Sequence, residues 1–349
     1  MKRILALALC LIMALALVAC GGAKEAEYKL GMGVVVSMGS SKTGNAQVDA
    51  TVATVVTDAD GKIVACRIDV AQNKMNVTDG AVDTAKTFET KMELGSRYGM
   101  EGKVDNDGNG VMLEWDAQAK AFETWAVGKT AAEIEAMKTQ EAGGHVIAVD
   151  QALLDAGCSM QITDFRDAVV KACKDEQGVA FKAVAGKFTL GVAAKTTAAE
   201  STAATAEANG TVKMYTDFAA TVVVDGKIVA ALNDAIQPNI TINAAGEIVE
   251  TSYKATKREL KEEYGMAPAV NYGMDWNGDG KDLEWYLQSA EFSKYVVGKT
   301  AADVEAMATK EVEGKGYVIS ADDALLTAGC TIQITAIKAV VAQAVKNAR

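Results

Sequence analysis

The stretch Asp60-Gly61-Lys62-Ile63-Val64-Ala65 returns in the second half of the chain as Asp225-Gly226-Lys227-Ile228-Val229-Ala230. Each copy sits between runs that read as strands. Val48, Ala50, Val52, Thr54 and Val56 alternate ahead of Asp58-Ala59-Asp60-Gly61, and Ile63 to Ile68 follows. Alternation on both sides of an Asp-Gly turn is the signature of a hairpin whose glycine takes a positive φ. The second copy repeats this as Ala220 to Val224, Asp225-Gly226, then Ile228 onward.

Working outward from the hairpin, the duplication covers most of the chain. Leu30-Gly31 recurs as Leu190-Gly191, Tyr98-Gly99-Met100 as Tyr264-Gly265-Met266, and Glu114-Trp115 as Glu284-Trp285. Val127-Gly128-Lys129-Thr130-Ala131-Ala132 recurs as Val297-Gly298-Lys299-Thr300-Ala301-Ala302, and Ala156-Gly157-Cys158 as Ala328-Gly329-Cys330. A unit this long is a duplicated domain and not a solenoid repeat, because each copy is large enough to bury a core of its own. The expected organisation is a segment 1–19, a tether 20–27, one copy over 28–176 and a second over 187–349. Each copy opens with strands and continues with helical patterns over Thr87 to Tyr98 and Lys254 to Tyr264, Trp115 to Trp125 and Trp285 to Tyr295. Thr130 and Thr300 stand where N-caps belong, with Glu133 and Asp303 three residues on. Amphipathic helices over Asp164 to Lys174 and Ala336 to Lys346 close the copies. This is an α+β fold, two tandem homologous domains, each an antiparallel sheet with helices packed on it. Lys195 to Gly210, rich in Ala, Thr and Glu, reads as an inserted loop or weak helix.

The chain has 349 residues, a formal net charge of −11 and a single histidine, His145. The acidic balance argues against a charge-driven nucleic-acid surface. One histidine leaves no inventory for a Ser-His-Asp triad or an imidazole-rich zinc site. Met1-Lys2-Arg3 followed by the apolar run Ile4 to Ala19 reads as an export signal. Its end, Leu17-Val18-Ala19-Cys20-Gly21-Gly22, resembles the lipobox of bacterial lipoproteins, which implies lipidation of Cys20, loss of residues 1–19, and attachment to the outer face of the cytoplasmic membrane. Cys66, Cys158, Cys173 and Cys330 then remain, an even number that permits disulfides.

Two constellations are candidates for chemistry. Between Tyr-Gly-Met and Glu-Trp lie the glycine-rich acidic loops Asp105-Asn106-Asp107-Gly108-Asn109-Gly110 and Asp275-Trp276-Asn277-Gly278-Asp279-Gly280. Oxygens at alternating positions, with glycine at the sixth, match the first half of a calcium loop, with Asp105, Asp107 and Asn109, and Asp275, Asn277 and Asp279, as ligands. Turns of this composition also form without a metal. The second constellation is the turn Ala156-Gly157-Cys158-Ser159 and its counterpart Ala328-Gly329-Cys330-Thr331, where a hydroxyl precedes a helix and is placed to carry or contact phosphate. The recurring Tyr98, Trp115 and Trp125, and Tyr264, Trp285 and Tyr295, serve either a planar ligand or the core. Gly-Lys-Thr at 128–130 and 298–300 is a turn and a cap, lacking the upstream glycine of a P-loop.

The hairpin from Asp60 to Val64 and from Asp225 to Val229, the small-residue turn, and the following helix with its small apolar pair, Ala168-Val169 or Val340-Val341, resemble the FMN-binding domain of exported flavoproteins and of ion-pumping quinone reductases. The whole unit is most similar to FMN-binding-like lipoproteins of anaerobic bacteria. In that family the turn reads Ser-Gly-Ala-Thr and a flavin transferase esterifies FMN to the threonine. The resemblance implies Ser159 and Thr331 as acceptors, with Gly157, Gly329, Cys158 and Cys330 beside the cofactor. It further implies a flavin transferase and a membrane electron donor as partners, and electron transfer as the activity. The alternative is a non-redox surface lipoprotein, a duplicated binding or adhesion module that has lost flavin.

Overall fold

The computed structural model describes residues 24–103, 105–267, 283–314 and 316–349. In the first half β1 (Glu25–Ser37), β2 (Asn45–Thr57) and β3 (Ile63–Asn76) form an antiparallel meander. There follow α1 (Lys91–Leu94), a 3₁₀ turn at Gly95–Tyr98, α2 (Trp115–Ala126), α3 (Ala131–Glu135), the hairpin β4 (Thr139–Ala142) and β5 (His145–Ala148), α4 (Gln151–Asp155) and α5 (Thr163–Cys173). Next, β6 (Val179–Val184) returns to pair with the start of β1. The sheet order is β3-β2-β1-β6.

The second half repeats the plan with β7 (Thr189–Thr197), β8 (Gly210–Val212), β9 (Tyr215–Val224), β10 (Lys227–Ile236), β11 (Asn239–Ile242) and β12 (Ile248–Ser252). Here β10-β9-β7 is the main sheet, and β12-β11-β8 a small additional one. Then come α6 (Lys257–Leu260), a 3₁₀ turn at Lys261–Tyr264, α7 (Trp285–Tyr295), α8 (Ala301–Glu305), the hairpin β13 (Thr309–Val312) and β14 (Tyr317–Ser320), α9 (Asp323–Thr327) and α10 (Thr335–Lys346). The fold is therefore the mixed α+β arrangement of antiparallel sheets and helices read from the sequence.

Local chemistry explains the elements. Asp225 and Gly226 take φ of 49° and 75°, so the β9–β10 hairpin closes on a two-residue turn that matches strand twist. Capping boxes form at Thr130 with Glu133 and at Thr300 with Asp303, as the spacing predicts, and also at Thr90 with Glu93 and Thr256 with Glu259. The helical patterns ending at Tyr98 and Tyr264 are each broken in two. Gly95 and Lys261, both at φ 49°, interrupt them at equivalent places. The segment from Lys195 divides differently from expectation: its first residues extend β7 to Thr197, and the remainder to Gly210 is loop without helix. Likewise Glu25 to Glu27 of the expected tether belong to β1, held by pairing with β6 in the interval between the copies.

Each half has an apolar cluster of its own between sheet and helices. Ala53, Val55, Ile68 and Phe122 belong to the first, and Ala219, Ala231, Phe292 and Val341 to the second. The opposite faces of the two sheets pack against each other in a third and larger cluster, running from Leu30, Val48 and Val52 to Leu190, Phe218 and Leu232. The order of layers is helices, sheet, sheet, helices. Strands buried on both faces account for the near-continuous apolar runs in β2 and β9, where one face alone would leave an alternation.

Polar contacts close the seam between the halves. Asp175, after α5, accepts from Arg258 of α6 at 3.1 Å, with both side chains almost wholly buried. Removing one partner of such a pair leaves an uncompensated charge, at a cost of about 3–5 kcal/mol. At the other end Glu123 accepts from Arg67 at 3.2 Å and from Arg349 at 3.4 Å. Asn73 Nδ2 donates to Thr216 Oγ1 across the middle at 3.3 Å. The loop before β8 joins in, with Ala204 N–H donating to Gly80 O at 2.9 Å.

The Leu-Gly repeat marks where helix meets sheet. A Cβ on Gly31 would lie 2.0 Å from Ala172 O, and one on Gly191 would lie 1.9 Å from Ala344 O. Glycine is required for α5 and α10 to lie this close to β1 and β7. Gly191→Ala should therefore lower stability by about 1–3 kcal/mol or more, while Gly39→Ala, whose Cβ would meet only Ser37 Oγ at an ordinary 3.7 Å, stays within about 0.5 kcal/mol. Urea unfolding of the two variants measures the difference.

Candidate functional site

The hydroxyl turn is built alike in both copies. α4 and α9 end at glycines in the left-handed region, Gly157 at φ 87° and Gly329 at φ 97°. A side-chain amide from the preceding long helix then holds the next residues. Gln118 Oε1 accepts from Ser159 N–H and Met160 N–H, both at 3.0 Å, and Gln288 Oε1 accepts from Thr331 N–H at 2.7 Å. The amide nitrogens of the same glutamines donate to Leu113 O and Leu283 O, so each side chain is fixed at both ends.

This places the predicted acceptors below the surface. Ser159 is 1% exposed and Thr331 2%. Thr331 Oγ1 donates to Gln288 Oε1 at 3.3 Å, whereas Ser159 Oγ is buried with no hydrogen-bond partner. Cys158 and Cys330 are fully buried, and burial pushes both thiols up to about 12. They are therefore packing groups, neither nucleophiles nor thiolate ligands at neutral pH. All four cysteines after Cys20 are free thiols.

The acidic loop of the first copy turns most of its oxygens on itself and leaves Asp107 Oδ1 buried without a partner. Asp105 accepts from the N–H groups of Asn109 and Gly110, at 3.1 and 3.0 Å, and Asp107 accepts from Asn109 Nδ2 at 2.7 Å. Among the described residues no three His, Cys, Asp or Glu side chains converge as a metal site. What the loop does hold is the hydroxyl turn: Asn106 Nδ2 donates to Ser159 O at 2.8 Å and Asn109 Nδ2 to Leu154 O at 3.3 Å. Asp275, Asn277 and Asp279 of the second loop, and Cys20, lie outside the described residues.

The pairing of Tyr-Gly-Met with Glu-Trp also has a physical cause. Glu114 caps α2 and accepts from the N–H groups of Gly99, Met100 and Trp115 at 2.9–3.1 Å. Burial opposes its charge, but these backbone donors outweigh that and hold the carboxyl below its ordinary range. Glu284 accepts likewise from Met266 and Ala267. Each glutamate ties the segment after the 3₁₀ turn to the start of the long helix.

These ties shape a cleft on the outer side of each sheet, in equivalent places. Cleft 1, about 700 Å³, is lined by Lys91, Tyr98, Trp115, His145, Met160 and Asp164 among others. Cleft 2, about 520 Å³, is lined by Lys257, Tyr264, Trp285, Tyr317, Ile332 and Ala336. Both lie in the size range of small-molecule sites. In each, one lysine ammonium rests on two rings. Lys91 Nζ is 4.8 Å from the Tyr98 centroid and 5.4 Å from that of Trp115, and Lys257 Nζ is 4.9 and 5.2 Å from Tyr264 and Trp285. The aromatics thus orient a cation. Met160 and Ile332, next to the hydroxyl residues, line the clefts, so turn and cleft are continuous.

The acidic groups differ between the clefts. Asp164 lines cleft 1 and its carboxyl is raised, by burial first and then by Asp167 and Asp49. Asp217 lines cleft 2, and burial raises it to about 6 against the pull of Lys257. The sequence reading passed over Gln118, Gln288, Lys91 and Lys257. The signal was there, since all four stand at matching places in the repeat, but glutamine and lysine are ordinary surface residues until a fold buries them.

Comparison of the chain with protein-family models, curated proteins and solved structures finds no match. Among the described residues no helix is long and apolar enough to cross a membrane.

Gln288→Leu removes the acceptor for the Thr331 N–H and hydroxyl while keeping the volume. Leaving that buried donor unpaired should cost about 1–3 kcal/mol, measured by thermal unfolding, with faster exchange of the amides at residues 330–332.

Proposed function

We propose that the protein is a lipid-anchored, extracytoplasmic flavin-binding protein that takes part in electron transfer, with the two clefts as FMN sites. The observation that carries this reading is the double construction: each copy places an aromatic-framed lysine and an FMN-sized cleft directly beside the turn that resembles the flavin-attachment motif. The orphaned Ser159 hydroxyl beside cleft 1 fits the same reading, since it is a polar atom left without a partner in the protein. Flavin, when bound, supplies one- or two-electron chemistry, and the chain supplies position and electrostatics. Lys91 and Lys257 would face the negative part of the ligand, and Gln118 and Gln288 would hold the turn.

Non-covalent binding fits the closed turn best. Ester formation at Ser159 or Thr331 requires the turn to open, because both hydroxyls are shut in. The same burial, together with lysines resting on the aromatic faces, favours as a second reading a duplicated module that binds another small anion without redox chemistry. Calcium at the first loop is not part of the proposal, because Asp105, Asp107 and Asn109 are engaged within the loop and with α4.

Purified protein, from cells that co-express a flavin transferase, should show visible flavin absorption and release FMN on denaturation. A fluorescent band on a denaturing gel, lost in Thr331→Ala, would establish the covalent form instead. Colourless protein that takes up no added FMN overturns the flavin reading and leaves the non-redox module.

A further inference from the structure

The short helix that carries the cleft lysine has the same shape in the two copies but not the same residues. α1 ends at Gly95, with φ 49° and ψ −130°, whereas α6 ends at Lys261, with φ 49° and ψ −121°. A Cβ is disfavoured in this positive-φ conformation, and a residue that carries one persists there only where its surroundings over-determine it. The turn of α6 is therefore strained where that of α1 is not.

Two holds are common to both turns. A capping box closes each start, and a buried aspartate, Asp69 or Asp234, accepts from the N–H of the second helical residue, Met92 at 3.2 Å or Arg258 at 3.0 Å. α6 has a third hold, and it comes from the other copy. Arg258 Nη2 donates to both carboxylate oxygens of Asp175, at 3.2 and 3.1 Å, and to Gln177 O at 3.0 Å, while Gln177 Nε2 donates back to Arg258 O at 2.8 Å. Asp175 is itself anchored on β1, accepting from Met32 N–H at 3.1 Å. At the opposite end of the seam the repeat puts Met92 in the place of Arg258 and Asn347 in that of Asp175, and the two border a space of about 180 Å³. Asn347 Nδ2 donates to Val192 O instead, and among the described residues no hydrogen bond or ion pair joins α1 to the second copy. Strain and clamp thus occur together, in the second copy alone.

We propose that Asp175 and Gln177 of the first copy are positioning residues of cleft 2: they keep the strained α6 turn in place and, with it, Lys257 seated on Tyr264 and Trp285. Asp217 acts on the Lys257 ammonium from the strand side, but it does not hold the backbone of the turn. Cleft 2 is accordingly a composite of both copies, whereas cleft 1 is complete within its own. The consequence for binding rests on reading cleft 2 as a ligand site; the seating of Lys257 does not.

NMR of the full chain with carbon-13 at lysine Cε reads the seating directly, because protons beside Nζ that lie over aromatic rings resonate upfield of ordinary lysine. Lys91→Arg and Lys257→Arg assign the two signals. Asp175→Asn combined with Arg258→Met gives this end of the seam the residues of the other. Lys257 should then lose most of its upfield shift while Lys91 keeps its own, and adding Lys261→Gly should restore Lys257, because the turn no longer needs the clamp. Gly95→Lys, at a position where a Cβ meets nothing within 4 Å, should unseat Lys91. That variant leaves the seam untouched, so it decides the matter even where the seam variant fails to fold. A Lys257 signal that is unshifted in the unaltered protein, that stays in place without the clamp, or that Lys261→Gly does not restore overturns the proposal, as does a Lys91 signal indifferent to Gly95→Lys. In FMN titrations the seam variant should weaken, by about tenfold or more, the site that Lys257→Met also weakens, and Lys261→Gly should recover it. Unchanged affinity there overturns the composite site. Absence of FMN binding overturns the flavin reading alone, and the lysine signals still decide the seating.

Discussion

Everything in the molecule is arranged around the apolar layer between its two sheets. Leu30, Val48 and Val52 on one side meet Leu190, Phe218 and Leu232 on the other, so neither sheet has a face to give to solvent. Burial of this kind is the dominant favourable contribution to folding, roughly 25 cal/mol for each Å² of apolar surface removed from water. Because the shared layer occupies the inner faces, the long helices pack on the outer ones. The close approach of α5 to β1 and of α10 to β7 requires a glycine at position 31 and at position 191.

The position of the clefts follows from the same constraint. With the inner faces used up, the open surface near the strand ends and the first turns of α5 and α10 lies on opposite outer sides, one cleft to each copy. The inner layer still links them. Asn73, between two residues that line cleft 1, donates to Thr216, which lies between Tyr215 and Asp217 of cleft 2. The Asp175–Arg258 pair and the Arg67–Glu123–Arg349 group close the seam where the apolar layer ends, and the burial of Asp175, Arg258 and Glu123 means that a substitution in one copy is felt in the other.

Much of this was legible in the residues. The duplicated hairpin, the Thr130 and Thr300 caps, and the long helices from Trp115 and Trp285 all follow from local chemistry, and local chemistry is what a sequence displays. The shared layer was harder to see. Ala53 and Val52 look alike in sequence, yet one faces helices and the other faces the second sheet. The helix breaks at Gly95 and Lys261 were also hidden, since lysine gives no hint of a positive φ. At the site, the sequence pointed to the turn but not to its burial, which depends on Gln118 and Gln288 reaching back from distant helices. Asp105 to Gly110 looked like a cation loop because its oxygens are spaced correctly. In the fold Asp105 takes the loop's own amides and Asp107 Oδ2 the Asn109 amide, while Asn106 and Asn109 brace the Ser159 turn.

The central claim is that the two copies form one cooperative unit through the shared layer. Native-state hydrogen exchange of the full chain across a denaturant series tests it most directly. The slowest amides of β2 and β9 should converge on a single opening free energy with one denaturant slope, because neither sheet keeps its inner face covered without the other. Opening of β9 at a denaturant concentration where β2 remains protected, with a distinct and smaller slope, would contradict the claim and make the copies two independently folding domains.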